Sequence, residues 1–81
     1  AQAAEESQPR AAIHLYVDAA EDLIDARGRD NYHLAAEHLV RVRALYRRMG
    51  EAETWENFIA DLREQNRRLP ALQDELNKAG L

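Results

Sequence analysis

Two amphipathic helical patterns meet at Gly50, and together they span Tyr32 to Leu62. Before the glycine, Tyr32, Ala35, Ala36, Leu39, Val42, Tyr46 and Met49 recur at steps of three and four. After it, Trp55, Phe58, Ile59 and Leu62 do the same. Steps of three and four place side chains on one face of a 3.6-residue helix, whereas a half-buried strand would alternate every second residue. A glycine between two such stripes predicts a helix stop followed by a second helix packed against the first.

The pattern extends both ways. Pro9 suits a first helical turn, and Ile13, Tyr16, Val17, Ala20, Leu23 and Ile24 form a stripe that Gly28 ends. Asp30 or Asn31 is the expected N-cap of the next helix, and the small pair Ala35-Ala36 should let a neighbouring helix approach closely. The third helix should start between Ala52 and Thr54. Pro70 closes that segment and can open a short fourth helix with Leu69, Leu72, Leu76 and Ala79 on its apolar edge and Gly80 at its end. The expected fold is all-α: a small antiparallel bundle of three main helices plus a short C-terminal helix, helical-repeat-like. Residues 1–8 read as a flexible N-terminal end and residues 9–81 as a single helical domain. Trp55, Phe58, Ile59 and Leu62 should pack on Tyr32, Leu39, Val42 and Tyr46. Leu15, Ala19, Leu34 and Leu45 fall off the main stripes, so self-association through the first two helices is expected to cover some of them.

Composition limits the chemistry. With 81 residues and no cysteine, there is one small domain at most and no disulfide or thiolate metal site. No apolar run is long enough to span a membrane, and the start lacks a signal-peptide pattern. The expected location is cytoplasmic. The absence of an initiator Met suggests a piece of a longer protein or a processed one. Residues 1–40 carry eight acidic side chains against three arginines, and residues 41–68 carry seven arginines against five acids. That imbalance suits helices pairing within the fold and falls short of the charge of a nucleic-acid module.

Reactive patterns are sparse. His33 and Glu37 have metal-ligand spacing on one helix face, but the paired-histidine zinc signature is missing. Asp18, Glu21, Asp22 and Asp25 lie mostly on an outer face and read as solvated rather than as an acid–base pair. Tyr16, Tyr32 and Tyr46 take core-facing positions. Ser7 and Thr54 are the only hydroxyl nucleophiles of the serine and threonine type. No catalytic, cofactor-binding or metal-binding residues are assigned, and the chain is expected not to be an enzyme. The leading expectation is a non-catalytic helical scaffold or protein-interaction domain, contacting other helices of a parent protein or itself. The alternative is a nucleic-acid-associated helical module using Arg41, Arg43, Arg47, Arg48, Arg67 and Arg68, although those on the second helix spread around it and no exposed aromatic platform lies among them.

The order Gly28, Tyr32, Ala35-Ala36, Leu39 resembles the start of the second helix in a tetratricopeptide-like repeat. Here Asp30-Asn31 stands where Gly-Asp is usual, and the first helix lacks the Trp-x-x-Leu-Gly signature. The longer string Asn31-Tyr32-x-x-Ala35-Ala36-x-x-Leu39-x-x-Val42-Arg43-x-Leu45-Tyr46-x-x-x-Gly50-x-x-x-x-Trp55-x-x-x-Ile59-x-x-Leu62-Arg63 resembles the C-terminal helical region of large bacterial proteins with a SWIM-type zinc finger near their N-terminus. Arg68-Leu69-Pro70-Ala71-Leu72-x-x-Glu75-Leu76 is similar to the end of such chains. The resemblance covers roughly residues 12–81. It implies a helical scaffold role only: the zinc module is a Cys/His unit, so none of its ligands carries over to a chain without cysteine.

Overall fold

The computed structural model describes residues 8–81. It contains four helices: α1 (Pro9–Ala26), α2 (Arg29–Arg48), α3 (Ala52–Gln65) and α4 (Pro70–Lys78), with no strand among the described residues. The all-α bundle of three main helices and a short last one is therefore the observed architecture. The expectation of a flexible end falls outside the described residues except at Gln8, whose carbonyl accepts the Ala12 N–H at 3.1 Å.

Helix α2 is the axis of the molecule and packs against each of the other three, most extensively against α1. The seam between α1 and α2 is lined with small side chains. Ala12, Ala20, Ala35 and Ala36 are all buried, which allows the close approach expected of Ala35-Ala36. The ion pair from Arg10, at the start of α1, to Glu51, just past the end of α2, shows that α1 and α2 run antiparallel. α3 returns along α2. α4 then runs in the same sense as α2: Asp74 and Glu75 meet Arg29, and the Gly80 carbonyl accepts from Arg43 Nη1 at 2.8 Å.

One core joins all four helices. Leu39, Val42, Leu72 and Leu76 are completely buried, with Tyr32, Trp55, Ile59 and Leu62 beside them. Phe58 and Tyr46, expected inside, lie half-buried at the edge, with the Phe58 ring 5.8 Å from that of Trp55. Leu45 is a correction: placed off the main stripe by sequence, it is only 1 % exposed. α2 has partners on more than one side, so its buried arc is wider than a single stripe and takes in position 45.

The helix ends explain the corners. α2 and α4 both close with the chain reaching back across the last turn. Gly50 N–H donates to the Arg47 carbonyl and Glu51 N–H to that of Tyr46. Gly80 and Leu81 repeat the pattern on Asn77 and Leu76. This closure places its glycine in the left-handed region, at φ 72° for Gly50 and 77° for Gly80. A side chain at position 50 would meet nothing within 4 Å, so only the backbone resists substitution. Gly50→Ala is expected to lower stability by about 1–2 kcal/mol, with Gly50→Asn milder, read from urea midpoints at constant slope.

The other two corners differ from expectation. α2 begins at Arg29 with Gly28 as its cap, and no side chain caps it. Asp30 and Asn31 are thus inside the helix, and Asn31 Nδ2 instead donates back to the Arg27 carbonyl at 2.8 Å. The turn is compressed to Arg27 and Gly28, so the helix has already begun where a cap was predicted. Arg27 itself adopts φ 63°, ψ 166°. That region is essentially glycine territory, and such outliers cost roughly 1–3 kcal/mol each. α3 ends at Gln65, well before Pro70, because the side chain of Asn66 takes the Leu62 carbonyl and Gln73 Nε2 donates to the carbonyls of Arg63 and Asn66. These polar contacts hold residues 66–69 as a separate corner.

Candidate functional site

Three surface features could meet a partner: a charged network between α2 and α4, a basic cleft at one end of the bundle, and uncovered leucines on α1 and α2.

The network centres on Glu75, which is buried although charged. Its carboxylate accepts from Arg29 Nη1 at 2.8 Å and from His33 Nδ1 at 3.2 Å, and Lys78 Nζ stands 3.7 Å away. Asp74 accepts from the same Arg29 nitrogen at 2.8 Å and lies 3.3 Å from Lys78. His33 Nε2 faces Glu37 at 3.3 Å. His33 and Glu37, which share metal-ligand spacing, thus contact each other, and His33 also reaches the Glu75 carboxylate. Among the described residues no group of three or more His, Asp or Glu side chains is disposed to hold a metal ion. Sequence reading passed over Glu75. Its signal was positional: it stands between Leu72 and Ala79 on the apolar edge of α4, where a carboxylate needs partners from the helix it faces.

The charges set the ionisation of the network. The His33 hydrogen bond, and then that of Arg29, hold the Glu75 carboxyl below its ordinary range. Arg29 and then Lys78 do the same for Asp74. Asp74, followed by Glu75, raises the guanidinium of Arg29. A carboxyl depressed on folding stabilises the native state at pH above its unfolded value, about 4, and loses that contribution as the pH falls through its folded value. The melting temperature should therefore fall on acidification below about pH 4, and fall less steeply in Glu75→Gln. Arg29, His33 and Lys78 are more than half exposed, so screening keeps the effect modest and added salt should reduce it.

The six arginines singled out by sequence do not gather into one surface. Arg41 lies over the Tyr16 ring, 5.7 Å from its centroid, and Arg43 is held by the Gly80 carbonyl. Arg47 and Arg48 are exposed at the C-terminal end of α2. Arg67 and Arg68 sit at the opposite end, beside Arg27, around an open cleft of about 460 Å³. Arg67 contacts Glu64 at 3.1 Å. Next to this cleft, Glu21 and Asp25 of α1 border a smaller one of about 220 Å³ that shares Gln65 and Asn66. Asp18 and Asp22 are exposed, as the solvated-face reading expects.

The third feature is apolar. Leu15 is 60 % and Leu34 44 % exposed, while Ala19 is half-buried. Among the described residues no helix is long and apolar enough to cross a membrane.

Comparison with known proteins finds one informative similarity. The chain is 37 % identical over 75 residues to the uncharacterized protein YwqB of Bacillus subtilis strain 168. The match takes in 93 % of this chain but only 14 % of that protein, so the chain spans about one-seventh of its relative's length. No family model matches the chain, and neither does any solved structure.

Proposed function

We propose that the chain is a non-catalytic helical interaction module of a larger bacterial protein, working in the cytoplasm. The observation that carries this reading is the exposure of Leu15 and Leu34 on a bundle whose other leucines and isoleucines share one core. Fully burying an exposed leucine is worth roughly 1.5–3 kcal/mol, so covering Leu15 and Leu34, each already partly buried, favours contact with further helices or a second copy by a fraction of that apiece. The similarity to a short stretch of a much longer bacterial protein supports a modular role. So does the resemblance to the helical C-terminal region of SWIM-type zinc-finger proteins, in which this segment would be the scaffold and another part of the chain the zinc module. The division of the arginines between the two ends of the bundle favours this reading over an extended nucleic-acid surface.

Sedimentation equilibrium tests it. The chain is expected to self-associate in the micromolar range, and Leu15→Ser/Leu34→Ser is expected to be monomeric with an unchanged helical spectrum. A wild-type chain that stays monomeric throughout that range counts against the reading.

A further inference from the structure

Arg27 combines two properties. Its backbone occupies a conformation that glycine adopts freely and arginine does not, and the next residue is already a glycine. Arg27 also lines the cleft that Arg67 and Arg68 line from the α3–α4 corner. The fold thus brings arginines from two separate turns to one open cavity. Arg27 and Arg68 form no ion pair among the described residues, and Arg67 is engaged only with exposed Glu64. Glycine at position 27 would relieve the backbone.

We infer that this cleft binds a compact phosphate-bearing ligand, with Arg27, Arg67 and Arg68 as its ligating groups. Planar guanidinium forks suit phosphate oxygens through paired N–H donors. Glu64, together with Glu21 and Asp25 in the adjoining cleft, opposes a long polyanion that would continue across α1. The charge pattern therefore selects a terminal phosphate or diphosphate over a nucleic-acid backbone. The site is separate from the leucines of the interaction module and stands or falls independently of them.

The test is calorimetric titration of the chain at low salt with sodium pyrophosphate, and in a second arm with a short oligodeoxythymidine lacking terminal phosphates. Pyrophosphate binding is expected, weakened about tenfold or more in Arg27→Gly, Arg27→Gln and Arg68→Gln. It should be retained in Arg10→Gln, which makes the same charge change at the far end of α1. Arg27→Gly should at the same time melt no lower than the parent, because it removes an unfavourable backbone conformation; a loss of binding there cannot then be assigned to unfolding. No pyrophosphate binding, binding equal in Arg27→Gly and the parent, or binding of the oligonucleotide alone would each overturn the inference.

Discussion

Trp55→Ala is expected to cost about 3–5 kcal/mol, the range for removing a large buried aromatic. Trp55 is 2 % exposed, on the face of α3 that carries Ile59 and Leu62 into the shared core. A domain of this length holds roughly 4–12 kcal/mol in all, so the variant should be close to half unfolded or beyond in the least stable case. Chemical denaturation checks it. A loss below about 1 kcal/mol would place Trp55 outside the core. Phe58→Ala should cost less, because that ring is half-buried at the edge.

Removal of α4 should have an effect at least as large. Leu72 and Leu76 are both fully buried, and each leucine-to-alanine change at such a site costs about 2–5 kcal/mol. Ending the chain after Leu69 removes both leucines, uncovers the side of α2 they cover, and leaves Arg29 and His33 without Glu75. The shortened chain is expected to lose its cooperative thermal transition while keeping residual helix by circular dichroism. Leu76→Ala alone should shift the transition without abolishing it. A shortened chain that melts as sharply as the parent would show α4 to be an accessory.

The helices were legible because their stripes are long and regular and because Pro9, Gly50, Pro70 and Gly80 mark ends by local stereochemistry. Positions that depend on a distant partner were less legible. Leu45 reads as off-stripe until α2 is seen to have neighbours on several sides. Nothing local marks Asn66 and Gln73, yet together they end α3 early. Glu75 stands on the apolar edge of α4, which signals a need for partners, but nothing local reveals that Arg29 and His33, more than forty residues earlier, supply them. The basic cleft was hidden for the same reason: Arg27 belongs to the acidic half of the sequence, and only the antiparallel return of α3 places it beside Arg67 and Arg68. Of the arginines proposed as contacts, Arg43 shows the converse, a charge with a structural use at Gly80.

The four helices share one core, and the association proposed above would use the outer faces of α1 and α2. Amide shift mapping of the labelled chain through a dilution series tests this most directly. Shifts that change with concentration around Leu15 and Leu34, with the amides near Leu39, Leu72 and Leu76 unaffected, are the predicted result. Spectra invariant with concentration, or changes centred on α3 and α4, would contradict it.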